Sequence, residues 1–509
     1  MEKLPPFKVA LDAVSREFGH SLDFSSKVLK EAKKISHDIS PETWGERVDL
    51  CAEPIVTIDG ETARDFDDAV SVDTLPEGRW RLLVSIADVS HYVRPGSAID
   101  QEAYHRATSA YFPDRCIPML PEELSNNLCS LVPQQDRLTM TAEMIFDREG
   151  RREESRFYRS VIRSAARLTY TLVHRILDLK DQALRQEYAP LLGPLERMEQ
   201  LFRLLRTQRL KRGTLDFDLP EPQIVMDLEE RNIERIVKAE RYASHRLIEE
   251  FMIAANEAVA EFLEGSGKHS IYRVHETPNP EKAEEFMSLL HNMGFQVPRM
   301  KGHVFSPKTF AAVIETIRGK PEERLLNTLL LRTMKQAYYD VKNKGHFGLA
   351  SRSYTHFTSP IRRYPDLLVH RILGQQLKSD QPRMVSRSVL SKMAEHCSER
   401  ERNAMKTEWA TRDLAAVYFM QNKIGEVYQG IIANVTKFGV FVELKDYFVQ
   451  GLLGLRNLTD DYYIFNEKKH CLQGKKNKQK FQIGDEIRVK VGGVNLVRRW
   501  LDFSLEKPI

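Results

Sequence analysis

The chain of 509 residues is 42% hydrophobic and 29% charged with a net charge of +4, which places it among soluble globular proteins of two or three domains. No run of about 18 apolar residues occurs, and the opening MEKLPPFKVALDAVSREFGH lacks a signal-type apolar stretch, so neither membrane insertion nor export is indicated and a cytoplasmic location is expected. Cys51, Cys116, Cys129, Cys397 and Cys471 are odd in number and form no C-x-x-C pair, which argues against a disulfide framework or a zinc site and predicts reduced, mostly structural thiols.

Residues 1–45 read as one or two short amphipathic helices; FSSKVLKEAKKIS starts on serine and spaces its apolar residues helically, a lead-in rather than a domain. From 54 to 165 strands dominate. PIVTID, DAVSVD, WRLLVSIADVSHYV, LTMTAEMIFD and SRFYRSVIRS are rich in β-branched and aromatic residues, with an irregular YFPDRCIPMLPEELS between them. From 187 to 424 the period turns helical, with helices expected at 191–212, 239–265, 280–293, 321–343 and 386–422. Residues 46–424 thus make one α+β body with mixed sheet and helices. At 425 alternation returns: GEVYQGIIANVTKFGVFVELKDYFVQGLLGL and GDEIRVKVGGVNLVRRWLDFSLE supply five short strands, the pattern of a small all-β OB-type barrel over 425–509. Within it, EKKHCLQGKKNKQK at 467–480 carries six lysines against one glutamate, and reads either as a solvated loop or as a basic contact.

The densest signal is DGETARDFDD at 59–68, with Asp59, Asp65, Asp67, Asp68 and Glu61 set against one arginine. A strand end and a tight loop bring the aspartates together, and two unit charges about 4 Å apart repel by roughly 4 kcal/mol at an effective dielectric near 20. Cations or bound protons relieve that cost, and a ligand set of oxygens without cysteine or histidine suits Mg²⁺ or Mn²⁺. A calcium loop starting at Asp65 fails, since Val70 falls where glycine is required and Pro76 where the bidentate glutamate belongs. A solvated acidic turn is the bland alternative; Phe66 among the acids and the apolar strands on both sides speak against it. Carboxylates sharing divalent ions are what phosphodiester hydrolases use, with two metals about 3.5–4 Å apart.

Such chemistry needs positive charge at the phosphate, and YTHFTSPIRRYPD at 354–366 offers it. Thr358 or Ser359 is expected as N-cap and Pro360 as first helical residue, which would aim backbone N–H groups outward beside Arg362 and Arg363. A salt bridge of either arginine with Asp366 is the equal alternative. Tyr111 and Phe217 lie outside periodic segments and read as packing unless the domain handles single strands, where such rings stack on bases. Phe438 and Phe441 in TKFGVFVEL occupy the stacking positions of an OB-type barrel. Ser90 and His91, read as neighbours on a strand, point to opposite faces and are structural rather than parts of a hydrolase triad.

TIDGETARDFDDAV, IADVSHYV, YFPDRCIPMLPEELSNNLCSL, GHFGLA and HFTSPIRRYPDLLVHR resemble the catalytic domain of the ribonuclease II/ribonuclease R exoribonucleases, and 425–505 resembles their S1-type RNA-binding barrel. The likeness covers about nine tenths of the chain, and RRYPDL and TDDYYIF are nearer the ribonuclease R branch. It implies processive 3′→5′ hydrolysis of single-stranded RNA to nucleoside 5′-monophosphates with Mg²⁺, two ions during catalysis, in a buried site at the end of a channel, by an expected monomer. By motif position it makes Asp59, Asp65, Asp67 and Asp68 catalytic and metal-binding, with Asp67 needed for cleavage more than for binding. Arg362 falls at the scissile phosphate. Tyr111 and Phe217 become the pair that sandwiches the terminal bases, which reverses the packing reading, and Tyr170 and Glu249 become readers of the ribose, with Glu250 the alternative by a one-residue shift. The family pattern also carries two cold-shock barrels ahead of the body, for which residues 1–45 are too few, and a lysine-rich tail that is missing after LDFSLEKPI.

Two other functions fit parts of the pattern: an RNA-binding regulator with a dead catalytic domain, and a phosphodiesterase for DNA or cyclic nucleotides. The full set of aspartates with Arg362 disfavours the first, and the RNA-type barrel disfavours the second.

Overall fold

A computed structural model describes residues 5–35, 39–217, 222–227, 232–297, 305–320, 322–377, 385–466 and 471–506. The lead-in forms α1 (Phe7–Glu17) and α2 (Ser26–Ala32), the second capped by Ser25 Oγ, which accepts from Val28 N–H at 3.4 Å. The body is built on a mixed sheet of β1 (Val48–Asp49), β2 (Val56–Asp59), β3 (Asp68–Thr74), β4 (Trp80–Ala87), β7 (Asp136–Phe146), β8 (Arg152–Arg163) and β9 (Ala166–Thr169), in the order β1-β8-β7-β4-β3-β2-β9. Between β4 and β7 lie α3 (Val89–Tyr92), α4 (Ala98–Arg106) and a small hairpin of β5 (Ala110–Tyr111) and β6 (Cys116–Ile117). β4 sits mid-sheet and is covered on both faces, which is why WRLLVSIA carries an almost unbroken apolar run.

The strand expected through WRLLVSIADVSHYV is therefore shorter than its sequence suggests. It stops at Ala87, and Ser90 and His91 stand on the helical turn α3. The break occurs because Asp88, fully buried, accepts from Arg47 Nη2 at 2.6 Å and from Ser90 Oγ at 2.6 Å, bonds that turn the chain out of the sheet. Ser90 and His91 are structural, though on a helix rather than on opposite faces of a strand.

Helices cover the sheet: α5 (Tyr170–Leu177), α6 (Gln182–Glu187), α7 (Ala189–Arg212) and α8 (Ala243–Gly265), with α7 against β3 and α8 against β4 and β7. α7 ends at Gly213, where φ is +98° and a Cβ would fall 2.7 Å from Lys308, so that no side chain fits. A hairpin of β10 (Pro222–Asp227) and β11 (Asn232–Lys238) follows α7. Beyond β12 (Tyr272–Val274), the helices α9 (Pro280–Asn292), α10 (Pro307–Ile317) and α11 (Glu323–Thr333) close round Phe310, Leu326 and Leu330 as a separate small core. The single helix expected over 321–343 ends at Thr333, since Tyr338–Asp340 (β13) pairs with β12 instead. Then come α12 (Tyr364–Gln376) and the long α13 (Arg387–Gln421).

The C-terminal strands β14 (Val427–Thr436), β15 (Gly439–Leu444), β16 (Gln450–Gly454), β20 (Glu486–Asn495) and β21 (Trp500–Leu505) form a closed barrel, as expected. Three further strands, β17 (Tyr463–Asn466), β18 (Cys471–Gly474) and β19 (Lys480–Gln482), make a side sheet where a loop was expected. Of the lysine-rich run, Lys468 and Lys469 lie outside the described residues. α13 packs against β20 and β21, and α11 reaches the barrel through an Arg324–Glu443 ion pair and a 3.4 Å bond from Arg332 to Asn434. Among the described residues no helix is long and apolar enough to cross a membrane, and all five cysteines are free thiols.

Candidate active site

Asp59 ends β2 and Asp68 begins β3, so the antiparallel pairing of these strands through Val56 and Val70 fixes both ends of the acidic loop. The loop between them is pinned from outside: Phe66 N–H donates to Ser130 Oγ at 3.0 Å, Ser130 Oγ donates to Arg64 O at 2.7 Å, and Leu131 N–H donates to Phe66 O at 3.0 Å. Phe66 is buried beneath the Arg167 guanidinium, 5.6 Å from its ring centre. An aromatic anchor thus holds the loop, against the solvated-turn reading, and the acids on either side of it lie near enough to shift one another's protonation.

Asp67 is the deepest of the four, 4% exposed. Its Oδ1 accepts from Ile361 N–H at 2.9 Å, while its Oδ2 is buried without a hydrogen-bond donor and has Arg362 Nε at 3.7 Å. Burial pushes all four carboxyls above the usual range. Asp59 also raises Asp68, Asp65 adds to the rise of Asp59 and Asp67, Asp68 adds to that of Asp67, and the opposing pull of Arg362 reaches every one of them. The protein alone therefore undercompensates the charge it gathers here.

These observations fit a hard divalent cation. The donors are carboxylates alone, and Asp67 Oδ2 is a buried acceptor without a hydrogen-bond donor. Among the described residues no three carboxylate, histidine or cysteine side chains already surround one point. An ion held here by these carboxylates would need water or substrate oxygens besides them, as Mg²⁺ commonly does.

Two of the expectations for the arginine turn are overturned. Pro360 is not the first helical residue and neither Thr358 nor Ser359 is an N-cap: α12 starts at Tyr364, with Pro365 in its first turn. The N–H groups that would have faced outward are used internally, Ser359 N–H by Asp366 Oδ1 at 2.8 Å and Ile361 N–H by Asp67 Oδ1. The two arginines divide the two readings between them. Arg363 Nη2 donates to Asp366 Oδ1 at 2.7 Å, with the carboxylate fully buried, the salt-bridge alternative. Arg362 is 44% exposed at its side chain, steadied by Ser359 Oγ at 3.1 Å, and is free to meet a phosphate beside Asp67.

Tyr111 lies near the same groups. Arg362 O accepts from Ser109 N–H at 3.0 Å and Tyr364 N–H donates to Ala107 O at 2.9 Å, so the segment leading into β5 is stitched to the arginine turn. Tyr111 is 43% exposed and lies within the field of Arg362, Asp65 and Asp67. Phe217 packs against the α9–α11 core with Leu215 and Phe295, half-buried at the edge of that lobe.

Tyr170 reaches the acids by a route that the sequence conceals. β9 runs parallel to β2 with Thr169 opposite Asp59, and Thr169 Oγ1 caps α5 by accepting from Leu172 N–H at 3.1 Å, so Tyr170 emerges next to the carboxylates. Asp59 and Asp68 both raise its hydroxyl, after burial. His245, missed in the sequence, stacks on Tyr170 with ring centres 4.0 Å apart and 20° between planes. Its Nδ1 accepts from Tyr242 N–H at 3.1 Å at the start of α8, which fixes the ring. Asn256 was missed as well: its Oδ1 accepts from Phe357 N–H at 2.8 Å and its Nδ2 donates to Tyr354 OH at 3.1 Å, bracing the arginine turn from α8.

Glu249 and Glu250 are parted by the fold. Glu250 is buried and bonded to Arg209 Nη2 at 2.8 Å, a packing role between α7 and α8, whereas Glu249 is open and pairs with Arg241 at 2.6 Å. In the barrel, Phe438 is exposed beside Phe441, edge to face with ring centres 6.1 Å apart.

Comparison with known proteins gives the family. The RNB domain family matches residues 47–379 and the S1 RNA binding domain family residues 421–506. The chain is similar to ribonuclease R of Aquifex aeolicus (strain VF5), 43% identical over 498 residues, covering 98% of this chain and 70% of that protein. It is also similar to ribonuclease R of Escherichia coli (strain K12), 42% identical over 510 residues, covering 98% of this chain and 62% of that protein. The structure of Mycoplasma genitalium RNase R in complex with ribose methylated single-stranded RNA aligns with a TM-score of 0.91 at 31% identity, covering 98% of this chain and 78% of that one. The chain thus spans 62–70% of the length of these two curated relatives. Identity at this level, sustained from the lead-in through the barrel, points to a single line of descent: the chain belongs to the ribonuclease R family of RNB-domain exoribonucleases.

Proposed function

We propose that the chain hydrolyses single-stranded RNA processively from its 3′ end, releasing nucleoside 5′-monophosphates, as a cytoplasmic monomer. The observation that carries this is the gathering of Asp59, Asp65, Asp67 and Asp68, all raised above their usual pKa range, round one partly exposed guanidinium, Arg362, with Asp67 Oδ2 left without a hydrogen-bond donor. Asp59, Asp65, Asp67 and Asp68 would hold Mg²⁺ or Mn²⁺, two ions in the reacting complex, and these supply activation of water and stabilisation of the leaving oxygen. Arg362 binds the scissile phosphate and meets the negative charge that grows on it. Tyr170 sits against the acids, where the last ribose lies, and Glu249 extends that contact. Tyr111 and Phe217 hold the terminal bases, and Phe438 and Phe441 receive the strand further from the cut.

Product analysis on a labelled RNA duplex with a single-stranded 3′ tail, with and without Mg²⁺, tests this. Stepwise loss from the 3′ end to 5′-monophosphates, dependent on the ion, is expected. Internal cuts, 3′-phosphate products or full activity in chelator refute it, and equal cleavage of the matching 2′-deoxy strand would favour a general phosphodiesterase.

A further inference from the structure

The side sheet β17–β19 is more than the barrel needs to close. Its inner face is built into the barrel core through Tyr463, Leu472 and Phe481, all buried. Its outer row runs Ile464, Gln473, Lys480, paired across the three strands. Tyr462, the residue just before β17, is 72% exposed and Ile464 is 51% exposed. Large apolar side chains this open on a firmly mounted sheet call for an occupant.

Beside them stands the turn from β18 to β19, with Lys475, Lys476, Lys478 and Lys480 all exposed. Lys475 N–H donates to Tyr462 O at 2.9 Å, which ties the turn to the tyrosine. Asp461 orders it from beneath: Oδ2 accepts from the N–H groups of Lys476 at 2.6 Å and Asn477 at 2.7 Å, and Oδ1 accepts from Tyr462 N–H at 2.7 Å. Asn477 Nδ2 donates to Asp460 Oδ2 at 2.9 Å, and Tyr463 OH donates to the same oxygen at 2.8 Å. Gly474 is required for this closure, since a Cβ there would fall 1.9 Å from Asn477 Oδ1. Lys478 is held at φ +58°, a conformation that suits glycine or asparagine better than lysine. Asp460 and Asp461 are both engaged in shaping the turn, Lys478 Nζ closes it by donating to Lys475 O at 2.9 Å, and the four lysines stand exposed along its outside.

We propose that this face is a second platform for single-stranded RNA, on which a base stacks on Tyr462 and the neighbouring phosphates lie against Lys475, Lys476, Lys478 and Lys480. It rests on the RNA-degrading reading above and uses residues on a different sheet from Phe438 and Phe441. An open aromatic ring beside an ordered row of cations matches a chain that alternates flat bases with phosphates. An acidic peptide would answer the lysines and leave Tyr462 without a partner.

The test is binding of a labelled single-stranded RNA to the whole chain in chelator, over a range of salt, for the unaltered protein and for Tyr462→Ala, Lys476→Gln/Lys478→Gln and Asp461→Ala. Tyr462→Ala is expected to weaken binding by about fivefold or more with the salt slope unchanged, the scale of one base–aromatic stack. The double lysine variant is expected to lower the slope by about 1.4, twice the roughly 0.7 per phosphate of a single strand. Asp461→Ala adds net positive charge, yet weakened binding is expected because the array loses its support. Full affinity in Tyr462→Ala, tighter binding in Asp461→Ala, or polyglutamate competing as well as RNA would each overturn the platform. An unaltered chain that neither binds nor degrades RNA overturns both readings, whereas one that degrades RNA and loses nothing in Tyr462→Ala overturns this one alone. Because Tyr462 is so exposed, the melting temperature of Tyr462→Ala serves as the folding control and is expected to stay put.

Discussion

Arg362 and Arg363 are adjacent in sequence but differ in kind, and substituting each in turn separates structure from chemistry. Asp366 is fully buried, and Arg363 is the cation that neutralises it at 2.7 Å. Ser359 N–H also holds its Oδ1 at 2.8 Å, but its Oδ2 is without a hydrogen-bond donor. Arg363→Met strands that carboxylate, and a broken buried pair costs about 3–5 kcal/mol. Replacing both members, Arg363→Met with Asp366→Leu, removes the stranded charge and is expected to recover most of the loss, since an apolar pair in such a site is often neutral. Arg362→Gln removes a side chain 44% exposed and 3.7 Å from its nearest carboxylate oxygen, which is expected to cost about 1 kcal/mol or less. Its effect falls on turnover instead, by about 10²–10³-fold, the scale for losing one preorganised donor at a developing charge. Urea unfolding of the four proteins, followed with single-turnover nucleotide release on the folded fraction, reads both quantities. Arg362→Gln destabilising as much as Arg363→Met, or a double variant no more stable than the single one, would refute the division.

Other expectations are independent of this one. His346, buried against His275, is held down to about 3 by burial first and by its histidine and arginine neighbours next. Its folded pKa lies below the unfolded value of about 6.5, so the unfolded chain binds the extra proton and stability falls as pH drops from about 6.5 towards 3. His346→Gln should flatten the pH dependence of the urea midpoint in that window, and an unchanged slope contradicts it. His245→Ala is expected to lower kcat about tenfold or more by freeing Tyr170, with His245→Phe restoring most of it through the retained stack; equal kcat in all three excludes a positioning role. Deleting residues 425–509 should flatten the salt dependence of RNA binding, and an unaltered slope means that the barrel does not touch the strand.

What was legible in the sequence follows from how local the cause is. The strand runs of the central sheet and the five barrel strands declare themselves through alternating β-branched residues, and the acidic loop declares itself through charge density that no ordinary turn carries. The arginine turn misled because its fate is settled at long range: Ile361 N–H is taken by Asp67, 294 residues away in the chain, and this leaves no free N-terminus at Pro360. Pairing of Tyr338–Asp340 with Tyr272–Val274 likewise overrides the helical pattern of 321–343. Tyr170 and His245 meet the site through the parallel β2–β9 register and the packing of α8, neither of which leaves a local trace. The side sheet of the barrel was hidden by its lysines, which weaken the alternation that marks a strand.

The claim on which everything turns is that the four acids hold the ions that cut RNA, and Asp67→Asn tests it most directly. Asparagine keeps the acceptor for Ile361 N–H and removes the charge at Oδ2, so the fold and the RNA contacts of the cleft are preserved. Single-turnover release of the terminal nucleotide at saturating RNA and Mg²⁺ is expected to fall by about 10³-fold or more, about 4 kcal/mol of transition-state stabilisation, while Kd for the same RNA in chelator stays within about twofold. Release at the unaltered rate would contradict the assignment of the site.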